Sequence, residues 1–222
     1  MTNQELLTPS KIIYSNRKTI SLVVDYNGDF IVKAPINCSI SKIDNFIKDK
    51  ADWIIKKRIS ESMNNRAKIT ATAGEIINLV GKDYKIQQKE VKSGRMVENT
   101  IILPTKNSLE SLVRLLKRFA KVYLDTRVKQ ISTVMNTEYS SVSVNSAKTN
   151  WGSCSFDNKL HFTFRLMFCP ENVIDYIIIH ELTHTKTKNH SKKFWSGVAK
   201  FCPSYKLCNK WLKDNRAIMH MI

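Results

Sequence analysis

The densest chemistry in the chain lies in His180-Glu181-Leu182-Thr183-His184. On an α-helix, residues four apart are displaced by about 6 Å along the axis and about 40° around it. Both imidazoles therefore leave one face, at a separation that one small cation bridges. Glu181 projects about 100° from His180, close enough to address a water on that cation without ligating it. Neutral imidazoles suit Zn2+, which in catalytic sites takes three protein ligands and keeps a fourth position for water. With five histidines in 222 residues, a chance His-Glu-x-x-His is expected on the order of once in two hundred such chains.

His190 is the candidate third ligand. A straight helix would carry it about 15 Å beyond His180 and onto a different side, so the helix must end between His184 and His190. Two β-branched residues in Thr185-Lys186-Thr187-Lys188-Asn189 weaken the helix there, and Asn189 tolerates the left-handed conformation of a helix end. Ser191 can then cap a new helix over residues 192–201. His161, in a strand-like segment, and His220, near the end of the chain, lack comparable context.

Positioning these groups requires a buried helix. Val173, Ile174, Tyr176, Ile177, Ile178 and Ile179 enter the motif as an apolar run. Cys169-Pro170-Glu171 opens it, since proline fits a first turn and an early carboxylate suits the positive helix end. Ser140–Val144 and Lys159–Phe164 read as short strands before it. A longer amphipathic helix starts at Asn107, with Asn107 and Glu110 as a capping box and a stripe from Leu109 to Ile131. Its other face carries Arg114, Lys117, Arg118, Lys121, Arg127 and Lys129, most simply a solvated surface.

The first third reads as β-rich. Ile20–Tyr26 and Phe30–Ala34 are β-prone runs around Asn27-Gly28, a hairpin signal because both residues tolerate positive φ. Ser41 and Asp44 form a candidate capping pair. The helix after them slips phase near Asp49–Asp52 and reads as two short helices burying Ile43, Phe46, Ile47, Trp53, Ile54 and Ile55. Glu75–Val80, Asp83–Gln88 and Thr100–Leu103 return to strand. A division is placed near residue 105.

Composition excludes other classes. Apolar residues make up 42% and charged residues 25%, a globular mix. No uncharged run approaches the roughly 18–20 residues of a membrane span, and the N-terminus lacks a signal-peptide pattern. The odd cysteine count (Cys38, Cys154, Cys169, Cys202, Cys208), with no CxxC pair, points to reduced thiols in a cytoplasm rather than to disulfides or a cysteine zinc site. The net charge of +17 allows non-specific contact with nucleic acid. No RNP motif, zinc finger or basic tail concentrates it.

Motifs beyond the histidines carry a resemblance to a known family. Trp151-Gly152-Ser153-Cys154, Phe164-Arg165-Leu166 with Pro170 and Val173-Ile174-Asp175-Tyr176, Asn189-His190-Ser191-Lys192-Lys193-Phe194-Trp195, and Pro203-Ser204-Tyr205 with Trp211-Leu212 together resemble the YgjP-like zinc metallopeptidases. These are relatives of the SprT-like and wider zincin proteins. The close resemblance covers about residues 148–213. It departs at Asn150, where the family often has a basic residue, and at Thr163, where it has asparagine. The related metzincins have glycine in place of Thr187, so this chain's turn is expected to differ in shape.

The resemblance implies an α+β fold. Residues 1–105 form an N-terminal β-rich region with one or two helices, and residues 106–222 a zincin-like helical metallopeptidase domain with a few short strands. It also implies one zinc per chain on His180, His184 and His190, with Glu181 catalytic in peptide hydrolysis. Trp151 and Cys154 are expected to wall and support the site. Tyr205 is a candidate oxyanion donor, or a ring packed beneath Trp195 or Trp211. A peptide or protein is the expected partner. Two other functions compete: a nucleic-acid-associated, SprT-like protease, and a non-catalytic binding module that zinc merely staples. The oligomeric state is not legible in the sequence.

Overall fold

Strand-prone runs on either side of a short turn pair with one another, and the rest of the N-terminal region is built on them. A computed structural model of the chain describes residues 6–25, 29–65 and 68–222, so the Asn27-Gly28 turn lies outside the described residues. β2 (Ser21–Val24) runs antiparallel to β3 (Phe30–Pro35), and β1 (Lys11–Ser15), which the sequence reading does not anticipate, lies parallel on the other side of β3. Phe30, Val32 and Ala34 alternate along β3 and are buried with Ile43, Ile47 and Ile54. Those isoleucines come from two helices, α1 (Ile40–Asp49) and α2 (Ala51–Asn65), separated at Lys50 as the phase slip requires. Trp53 stays 47% exposed. The expected cap does not form: Ser39 precedes α1 without a side-chain cap bond, and its hydroxyl meets that of Ser41.

Contacts divide the chain between Lys68 and Ile69, not near residue 105. The physical reason is a four-stranded sheet that docks on the helix after it. Its strands are β4 (Ile76–Leu79), β5 (Lys82–Lys89), β6 (Arg95–Val97) and β7 (Thr100–Pro104), in the order β4-β5-β7-β6. Helix α3 (Ser108–Met135) holds the β5–β6 turn. The Gly94 amide donates to Ser111 Oγ at 3.0 Å, and Arg118 donates to the Gly94 carbonyl at 2.8 Å. Gln88 donates to Ser108 Oγ at 2.9 Å, and the Val80 amide to the Met167 carbonyl at 2.7 Å. Strands 76–104 thus belong to the second unit.

The apolar stripe of α3 buries Leu112, Leu115, Leu116, Ala120, Leu124, Val128 and Met135. Its capping box is absent. Asn107 takes a left-handed conformation with φ 55°, and Glu110 pairs with Arg114 one turn on, at 2.6 Å. A third sheet follows, β8 (Ser141–Asn145), β9 (Gly152–Cys154) and β10 (Lys159–Thr163), with β10 central, parallel to β8 and antiparallel to β9. A buried 3-10 turn (Phe164–Phe168) leads into α4 (Glu171–Lys186), then α5 (Lys192–Phe201) and α6 (Tyr205–Asp214). The result is α+β. Helix α4 is apolar almost all round, so it sits inside, packed against α3, β9, α5 and α6.

Candidate metal centre

Helix α4 delivers His180 and His184 from one face, and the chain after it brings His190 back to them. His190 Nε2 lies 3.1 Å from His180 Nε2 and 3.2 Å from His184 Nε2. The helix ends at Lys186, and its last amide bond runs from Thr187 to the Thr183 carbonyl. Thr187 is extended, with φ −140° and ψ 98°. No residue from 185 to 191 has a positive φ. The turn therefore needs neither glycine nor a left-handed Asn189, contrary to the expectation for that asparagine. Asn189 instead accepts the Ser191 amide through Oδ1 at 3.3 Å.

Lys188 clasps this turn to the third sheet. Its ammonium donates to the Ser155 carbonyl and to Asn158 Oδ1, both at 2.7 Å, and approaches Cys154 Sγ at 3.7 Å. Beneath the imidazoles lies the fully buried Phe194, with ring centroids 4.8, 4.4 and 4.8 Å from those of His180, His184 and His190. Trp195 stacks on His190, and Tyr205 on Trp195 at 5.3 Å and 22°. The Tyr205 ring thus packs against Trp195.

The donor set suits a soft-to-borderline dication. Four nitrogens at about 2.0–2.1 Å around zinc would lie about 3.3–3.4 Å apart along each tetrahedral edge, and the separations of His190 from His180 and His184, 3.1 and 3.2 Å, sit just inside that. His184 donates through Nδ1 to the Thr187 carbonyl at 3.0 Å. A carbonyl only accepts, so the proton is on Nδ1 and the Nε2 lone pair is free. Burial, then the neighbouring His184 and His190, pull the His180 pKa down to about 3, and burial also lowers that of His184. Neutral rings with converging lone pairs are what a metal needs. Among the described residues this is the single cluster of three or more His, Cys, Asp or Glu suited to an ion.

Glu181 is the buried carboxylate among the described residues. It is 5% exposed and has no hydrogen bond or ion pair among the described residues. Burial pushes its pKa up to about 8. A cleft of about 380 Å³ opens beside it, lined on one side by Asn150, Trp151 and Gly152. Gly152 lets the acid fit: a Cβ there would stand 2.9 Å from Glu181 Cγ and 3.0 Å from Oε1. Cys154 is half-buried on the same strand, and burial raises its pKa. Trp151 and Cys154 thus stand beside the centre, while the role of Gly152 has no signal in the sequence beyond its place between them.

Other residues with possible chemistry are used elsewhere. His161 Nδ1 meets Ser143 Oγ at 2.6 Å, away from the cluster. Asp175 takes a bidentate pair from Arg127, with both contacts at 2.6 Å, so this arginine ties α3 to α4 instead of lying on a wet face. All five cysteines are free.

A histidine-bearing helix, a returning third histidine and a buried acid meet at the mouth of a cleft, and the three histidines could hold a metal ion. A family model described as YgjP-like, metallopeptidase domain, matches residues 18–215, and the chain belongs to the YgjP-like metallopeptidase family. Among solved structures, it is similar to the metallopeptidase zymogen jannalysin of Methanocaldococcus jannaschii. The match has 26% identity over 40% of this chain and 94% of that one, with a TM-score of 0.35. No curated protein sequence matches it.

Proposed function

We propose that the chain is a zinc-dependent endopeptidase, with one zinc ion on His180, His184 and His190 and Glu181 as general base. The observation that carries this reading is Glu181, a buried carboxylate without a partner, one residue from a candidate ligand and open to a cleft. Desolvating an acid without compensation costs stability, and such groups concentrate at reactive sites. When bound, zinc supplies Lewis acidity that polarises a peptide carbonyl and makes water nucleophilic near neutral pH. The double charge beside it would return the Glu181 carboxyl towards its ordinary range. Glu181 then takes the water proton and returns it to the leaving amine. Phe194 excludes water below the three rings, and Trp151 and Gly152 wall the cleft where the peptide lies. Among the described residues no helix is long and apolar enough to cross a membrane. The free thiols support a reducing compartment, the cytoplasm.

Zinc analysis with a peptide-library digest tests this. Glu181→Gln should keep one zinc per chain and lose about 10³-fold in kcat. A zinc-loaded wild type inert against the whole library, or a Glu181→Gln variant as active as the wild type, overturns it.

A further inference from the structure

Part of the cleft lining comes from α6 and the residues just after it. Asn209, Leu212, Lys213 and Arg216 line the cleft together with Trp151, His180 and Glu181. Glu181 is the acidic residue of that lining, and Lys213 and Arg216 are its two strongly basic ones. Neither cation has a hydrogen bond or ion pair among the described residues. The acid between them, Asp214, pairs with Lys210 one turn back, at 3.4 Å.

Several other basic residues of this unit are occupied. Arg127 holds Asp175, Lys186 donates to the Asn136 carbonyl, Lys188 clasps the turn at residues 155–158, and Arg165 donates to the Ser146 carbonyl. Within the cleft lining, the basic residues without a partner among the described residues are Lys213 and Arg216. Their charges add in this cleft, and the low-dielectric surface of Leu212, Ile177 and Trp151 in the same lining concentrates the field.

We propose that Lys213 and Arg216 form a carboxylate-recognition subsite, so that the enzyme selects peptides carrying a carboxylate beside the scissile bond. This rests on the peptidase reading above. The carboxylate can come from an Asp or Glu side chain or from the free C-terminus of a short peptide, and Arg216 can engage either through two parallel N–H donors. Both cations are exposed, so the preference is moderate and weakens with salt.

The test uses matched quenched peptides with Glu, Gln or Lys at each position near the cut, each with a free or amidated C-terminus. They are given to zinc-loaded wild type, Lys213→Glu/Arg216→Glu, and Lys129→Glu/Lys206→Glu. The last makes the same charge change outside the cleft. Binding to zinc-loaded Glu181→Gln is measured in parallel by fluorescence anisotropy. In the wild type, kcat/KM for the best acidic peptide should exceed that for its Gln analogue by about three- to tenfold at low salt. The double reversal should invert that ratio, and the distant pair should keep it. Loss of the preference on amidation alone assigns the C-terminal carboxylate; loss on Glu-to-Gln exchange alone assigns a side chain. Equal Glu and Gln rates in wild type, or a ratio surviving the cleft reversal, overturns the subsite. If the wild type cleaves nothing while Glu181→Gln still binds acidic peptides selectively, the subsite stands and the peptidase reading falls.

Discussion

Helix α4 and strand β9 meet at one cleft and contribute opposite things to it. The helix supplies reactive groups, two imidazoles and a carboxylate within five residues, at a spacing set by helical geometry. The strand supplies an absence, the missing Cβ of Gly152 against which Glu181 rests. Helical periodicity makes the first contribution readable in one dimension. The second exists because β10 pairs with β9, residue Phe162 against Gly152, and holds the bare backbone over α4. Chemistry of this kind is carried by a local repeat, whereas space for it is carved by neighbours distant in sequence.

Perturbing each side separately sharpens the comparison. The largest effect is the loss of turnover in Glu181→Gln, with zinc retained. Next is Gly152→Ala, whose methyl would press on Glu181 Cγ from 2.9 Å. Displacing the carboxylate by a fraction of an ångström should lower kcat by about 10- to 100-fold while zinc content and KM stay near wild type. Wild-type kcat in Gly152→Ala would reduce the strand to a bystander.

Lys188→Met removes the clasp between the histidine turn and residues 155–158. Zinc affinity should fall by about tenfold, as for other residues that orient metal ligands, measured by competition with a chelator. Unchanged affinity would mean that the aromatic stack alone holds His190. The smallest effect is expected for Asp175→Asn, which unpairs Arg127 between α3 and α4. Asp175 and Arg127 are 22% and 30% exposed, so the loss is about 1–3 kcal/mol. This should appear as a melting temperature lower by several degrees, with zinc stoichiometry preserved. An unchanged melting temperature would show that packing alone fixes α4 on α3.

Legibility followed the range of the interactions involved. The break between α1 and α2, the stripe of α3 and the buried run into His180 are periodic patterns, and each has its counterpart in the fold. Both helix-start boxes failed because their side chains found other partners, Arg114 for Glu110 and Ser39 for Ser41. Strands β1, β6 and β9 are three to five residues long, too short for a clear alternation, and exist through pairing with β3, β7 and β10. The division expected near residue 105 rests on a local turn, Pro104 to Asn107. The contact boundary between Lys68 and Ile69 instead follows the bonds from Gly94 and Gln88 to α3, which no local signal encodes.

By itself, the sequence determined which atoms are available and how far apart a helix must set them: two imidazoles on one face, an acid beside them, and a third imidazole just past a weak helix end. Tertiary structure alone decided that the turn closes without a left-handed residue, that Phe194 underlies all three rings, and that Glu181 is desolvated against Gly152. It also left Lys213 and Arg216 in the cleft lining without a partner among the described residues. The reason is physical. Backbone periodicity is a property of neighbouring residues, whereas burial, vacancy and unpaired charge depend on what else arrives at the same place.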